Sequence, residues 1–134
     1  MLYLQYISFY YIHKLNPNYK MIPKELLKGS LKSIILKLLS ENGRMYGYEL
    51  TQRMEEVSGG KIKFTVGALY PILHKLENDG IVVTESEVIN NRVRIYYKLT
   101  KTGESTAQEK INELIEYIET MGLLLKPGLN LQLC

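Results

Sequence analysis

Tryptophan is absent from this 134-residue chain, cysteine occurs once, at Cys134, and aspartate once, at Asp79. One cysteine excludes an internal disulfide, so stability has to come from an apolar core, and the usage fits a reducing, cytoplasmic setting. Histidine is limited to His13 and His74, and no Cys/His cluster has metal-ligand spacing. No glycine-rich loop follows a strand to hold phosphates. Glutamates are common, but they sit mainly on helical stretches among charged neighbours, where solvated surface is their role. These absences argue against an enzyme, a metal centre and a bound cofactor. A membrane span is also disfavoured. Met1 to Ile12 is apolar and tyrosine-rich, but too short to cross a bilayer as a helix, and it lacks the basic start and cleavage site of a signal peptide.

What is present suffices for one compact domain, since 46% of the residues are hydrophobic. The net charge of +3 is small, but its distribution is uneven. Lys and Arg outnumber the acids between Lys20 and Lys101, whereas Glu104 to Met121 holds five acids and only Lys110. A basic body joined to an acidic helix suggests a polyanion on one side and a different partner on the other.

Asn16-Pro17-Asn18 breaks whatever precedes it, and Met21 opens a segment that reads as a domain start. Residues 1–20 are therefore read as an N-terminal extension: an upstream piece, an arm packing on the domain, or a weak interfacial anchor. Residues 24–41 form a helix candidate, with Leu27, Leu31, Ile34 and Leu38 on one stripe, widened by Ile35 and Leu39. Asn42-Gly43 ends it. A shorter helix over 47–57 is expected to bury Leu50, Met54 and Val57, and Ser58-Gly59-Gly60 stops it.

The most informative stretch is 65–80. Leu69, Ile72, Leu73 and Leu76 follow the i, i+3, i+4, i+7 spacing of a helix with one buried stripe. The opposite stripe carries Gly67, Tyr70, Pro71, His74, Lys75 and Asn78, which combine close approach, hydrogen-bonding tips and a cation. That is the chemistry of a helix entering a DNA groove, although an ordinary amphipathic surface helix has the same spacing. Thr65 can cap it. Pro71 removes one backbone bond and predicts a bent or irregular first turn.

After Gly80 the period becomes alternating. Ile81 to Val88 reads as one strand. In a second, Val93, Ile95, Tyr97 and Leu99 share one face, while Arg94, Tyr96 and Lys98 share the other. Asn90-Asn91-Arg92 is the turn between them. Three helices followed by a hairpin with a basic tip are the order of a winged helix-turn-helix. From about Lys101 to Leu125, Ala107, Ile111, Leu114, Ile118, Met121 and Leu125 are spaced 4, 3, 4, 3, 4, with Thr100 as cap and Pro127-Gly128 as terminator. This heptad seam either lies on its own domain or joins a second subunit; its length favours a two-fold dimer. The expected class is α+β, mainly α: a winged helix-turn-helix domain over 21–100, a C-terminal dimerisation helix over 101–126 and a tail over 127–134.

Lys61, Lys63, Lys75, Arg92, Arg94 and Lys98 are candidate phosphate partners, with Arg92 and Arg94 alternatively entering the minor groove. Tyr70 and His74 can hydrogen-bond to bases, and Ala68 can touch only a thymine methyl. Thr65 and Gly67 complete the surface at the helix start. Four ordered blocks, Leu26-Leu27-Lys28-Gly29-Ser30-Leu31, Tyr46-Gly47-Tyr48-Glu49-Leu50, Gly67-Ala68-Leu69-Tyr70-Pro71-Ile72-Leu73-His74-Lys75-Leu76-Glu77 and Tyr96-Tyr97-Lys98-Leu99-Thr100, together resemble the PadR family of bacterial transcriptional regulators. The resemblance spans roughly residues 21–121 and matches the short branch with one C-terminal helix. It implies a dimeric winged-helix repressor that binds palindromic operator DNA and is released by a small-molecule or stress signal. It also assigns Tyr48, Tyr70, Pro71, His74 and Lys75 to the DNA-facing motif and Arg92 and Arg94 to the basic wing. Ala68 departs from the hydroxyl residue many members carry. Without tryptophan, the aromatic sandwich of some drug-sensing members cannot form. Tyr117, near the seam, is a candidate for lining an effector cavity between subunits. The competing reading is a winged-helix module for protein–protein contact.

Overall fold

The computed structural model describes residues 20–126, together with Leu4 and Leu15. The proposed extension (apart from Leu4, Leu15 and Lys20), the Pro127-Gly128 terminator and the tail lie outside the described residues.

The first helical stretch is divided. A single turn, α1 (Lys24–Leu27), is followed by a break and then by α2 (Leu31–Asn42). The expectation of one helix over 24–41 is corrected here. Gly29 is a poor helix former, and the Ser30 amide bonds the Leu27 carbonyl three residues back at 2.9 Å, which tightens the turn. Leu31, Ile35, Leu36, Leu38 and Leu39 of α2 are buried. Gly43 ends the helix at φ 76°, a conformation that favours glycine.

Arg44–Tyr46 then forms β1, a three-residue strand not anticipated from the sequence. Next comes α3 (Gly47–Val57), which buries Leu50 and Met54. Val57 is 43% exposed, contrary to expectation, because it is the last residue of the helix and the chain turns away at Ser58. Helix α4 (Val66–Asn78) buries Leu69, Leu73 and Leu76, and the Thr65 hydroxyl caps it by accepting from the Ala68 amide. The helix continues unbroken through Pro71.

Strands β2 (Val82–Ile89) and β3 (Arg92–Leu99) make the hairpin, and the sheet order is β1-β3-β2, all antiparallel. Arg92 belongs to the strand, where it pairs with Ile89, and not to the turn. The loop is Asn90-Asn91 alone, at φ 51° and 62°. Positive φ at both central residues is the two-residue hairpin turn whose twist matches the strands. Tyr97 is buried, as the alternation required, but Val93 and Ile95 on the same face are exposed, because the hairpin extends past the body.

Helix α5 (Lys101–Leu125) starts at Thr100, whose hydroxyl accepts from the Gly103 amide at 3.0 Å. It packs chiefly on α2. Ala107 is buried in the domain's own core and Ile111 packs partly against it. The early part of the seam is thus intramolecular, while Ile118 and Leu125 are 44% and 78% exposed.

Candidate nucleic-acid interface

Two helix N-termini and the wing surround one cleft of about 800 Å³. Its lining includes Tyr48 from α3, Tyr70 from α4, and Arg92 and Arg94 from β3. The helices meet closely because of Gly47: a Cβ there would lie 2.7 Å from Cγ1 of Val66. Gly67, Ala68, Tyr70, Pro71, His74 and Lys75 all lie on the exposed side of α4, opposite the leucines that anchor it. Tyr70 and His74, one turn apart, stack with ring centroids 5.8 Å apart. Both rings lie on the outer face.

The cations differ in how free they are. Lys75 pairs with Asp79 at 3.3 Å, Lys63 with Glu55 at 3.7 Å, and Lys98 with Glu85 at 2.8 Å. Each retains contact with solvent, where such pairs contribute little and rearrange readily toward a phosphate. Lys98 sits near the root of the wing, across from Arg44 on β1 and Val83 on β2, and does not line the cleft. Lys61, Lys63 and Thr65 precede α4 and, like His74 and Lys75, do not line the cleft. No ion pair involves Arg92 among the described residues. The Arg94 guanidinium donates to the Tyr96 hydroxyl at 3.3 Å and lies 4.2 Å over the Tyr46 ring. That hydrogen bond raises the Arg94 pKa further above its usual range.

Glu85 is held below the usual carboxylate range, first by its bond to Lys98 and then by Arg44. Burial pushes the Tyr97 phenol up, with Tyr70 and Glu77 adding to it. Tyr46 and Asn90 also line the cleft. Neither stood out by periodicity, since Tyr46 belongs to a strand too short to show one and Asn90 reads as a turn residue. Away from this face, Tyr117 lines a recess of about 420 Å³ with Leu26 and Gly29, between α1 and α5. Among the described residues, no helix is long and apolar enough to cross a membrane, and no group of His, Cys, Asp or Glu side chains could hold a metal ion.

A helix with a polar outer stripe, seated beside a basic two-stranded wing, defines a winged-helix DNA-binding regulator. The sequence matches the transcriptional regulator PadR-like family over residues 35–109, more than half of the chain. A transcriptional regulator of Mycobacterium tuberculosis is 33% identical over 93 residues, covering 69% of this chain and 83% of its own. Among solved structures, a PadR-like transcription factor from Bacteroides fragilis is 30% identical with a TM-score of 0.61, covering 75% of this chain and 95% of that one. A PadR family transcriptional regulator from Eggerthella lenta is 27% identical with a TM-score of 0.65, covering 78% and 88%. The chain belongs to the PadR-like family of transcriptional regulators.

Proposed function

We propose that this regulator is a cytoplasmic homodimeric repressor that binds a palindromic operator and is released by a small-molecule or stress signal. The observation that carries the DNA contact is the cleft, where Tyr48, Tyr70, Arg92 and Arg94 converge beside the polar stripe of α4. Phosphate contacts from Lys61, Lys63, Lys75, Arg92 and Lys98 supply affinity, and Tyr70 and His74 reach base edges. Support for the dimer is the late part of the seam, where Ile118 and Leu125 continue the spacing and are exposed, whereas Ala107 and Ile111 are covered by their own domain and Leu114 borders the recess beside α1. A second copy related by two-fold symmetry buries such a stripe on both sides. Its operator then has half-sites about 10 bp apart, or a multiple, between centres. Tyr117, expected at an effector cavity between subunits, borders a recess within one chain, and this recess is the candidate effector site because a ligand there would touch both α1 and α5.

Titration of a fragment of the chain's own promoter at two ionic strengths tests this reading. Affinity falls steeply with salt, because every neutralised phosphate releases counterions. Salt-independent affinity, or undiminished binding by an Arg92→Ala, Arg94→Ala, Lys75→Ala triple variant, overturns it. The protein-contact alternative draws on the carboxylate partners of Lys63, Lys75 and Lys98. It requires that random duplex is not shifted at low salt.

A further inference from the structure

The wing leaves the body of the domain early. Val88 and Val93, near its tip, are 71% and 68% exposed. Apolar burial therefore does not set the direction of the Asn90-Asn91 loop, and a lone two-stranded hairpin is only marginally stable in water. The aim of the tip has to come from contacts nearer the root. Those contacts alternate cations with rings. Glu85 and Glu87 on β2 hold Arg44 at 3.1 and 2.9 Å. The Arg44 guanidinium lies 4.1 Å over the Tyr96 ring. Tyr96 meets Tyr46 edge-on with centroids 5.5 Å apart, and Arg94 covers the Tyr46 ring. Ring faces attract cations and ring edges, so each contact supports the next.

Tyr46 is tied to the DNA-reading helix by a separate route. It caps α3, and its amide donates to Glu49 at 3.0 Å. Its neighbour Gly47 has no room for a Cβ beside Val66, the first residue of α4. One ring thus meets the wing on one side and is coupled to the start of α4 on the other. We propose that Tyr46, supported by Tyr96, is a positioning residue for DNA binding that acts through Arg94. It holds the wing at a fixed setting against α4, so that both engage one duplex without first being ordered. This rests on the DNA-binding reading and adds to it a residue whose work is done away from the bases. Leucine at position 46 preserves the amide cap and removes the ring; phenylalanine preserves both.

The test compares Tyr46→Leu, Tyr46→Phe, Arg94→Ala and the Tyr46→Leu, Arg94→Ala double variant in the full chain. The probe is a duplex recovered by repeated in vitro selection on the wild-type protein. Relaxation of the 15N-labelled Asn90 and Asn91 amides reports wing order without DNA. Tyr46→Phe binds within about twofold of wild type, while Tyr46→Leu weakens binding roughly five- to tenfold, the range of one lost cation–π contact. Tyr46→Leu also loosens Asn90 and Asn91, and it costs no further affinity once Arg94 is alanine. An equal loss in both backgrounds, wild-type affinity in Tyr46→Leu, or unchanged order at the tip overturns the proposal. If the wild-type protein recovers no duplex, the DNA reading itself falls. The relaxation difference between the Leu and Phe variants then decides by itself whether Tyr46 locks the wing.

Discussion

Gly103 and Ile81 meet backbone to backbone: a Cβ on Gly103 would overlap the Ile81 carbonyl oxygen. That oxygen also accepts from the Thr100 amide at 3.0 Å, so it cannot retreat cheaply. Gly103→Ala therefore destabilises the domain by about 1–3 kcal/mol, even though alanine is the better helix former. Urea denaturation of the two proteins measures the difference.

Along α4, stability and DNA affinity separate by face. Leu73 is fully buried, and Leu73→Ala costs about 2–5 kcal/mol of folding free energy. His74 is exposed, so His74→Ala shifts stability by no more than about 0.5 kcal/mol while weakening DNA binding. Thermal melts and a DNA titration on the same two variants resolve this.

Arg92 and Lys98 are both basic wing residues, but only Lys98 has a carboxylate already against it. Arg92→Ala flattens the log–log salt dependence of DNA affinity by about 1. Lys98→Ala flattens it less, because its charge is partly cancelled by Glu85 before DNA arrives.

Glu85 carries a pH signature. Its folded pKa lies below the ordinary value of 4.5, so the native state favours the ionised form. The stabilisation is complete above that ordinary value and is lost as pH falls through the lowered folded one. Glu85→Gln is accordingly less stable than wild type at neutral pH, and the gap in melting temperature closes on acidification. A gap that widens toward acid contradicts the pairing.

Ile118 is a seam residue of α5 that its own domain leaves 44% exposed. Ile118→Asp makes the protein monomeric in sedimentation velocity at micromolar concentration, with little change in the fold's circular dichroism. An unchanged sedimentation coefficient removes the proposed subunit contact.

Much of this architecture is legible in sequence because single elements carry their own periodicity. Leu69, Leu73 and Leu76 mark a helix unaided, and Asn90-Asn91 marks a tight hairpin through its tolerance of positive φ. Strand β1 is not legible, since three residues are too few to show an alternation. Its pairing of Met45 with Tyr97 exists only once the fold has formed. The break at Gly29 is not legible in the stripe, because Leu27 and Leu31 keep helical spacing across it. The charge pairs divide likewise. Lys75 and Asp79 are four apart and could be anticipated on a helix, whereas Lys98 meets Glu85 only through the strand register.

The joint at Thr100 has a mechanical consequence. Its hydroxyl donates toward the Gly80 and Ile81 carbonyls at 2.7 and 3.2 Å while accepting from Gly103, so α5 leaves the wing as a stiff arm. Twenty-five helical residues extend about 37 Å. In a pair of molecules hinged at the far end of that arm, a tilt of about 5° displaces each reading head by about 3 Å, comparable to the rise of one base pair. In the proposed dimer, a small angular change at that end would throw the two heads out of step with the double helix.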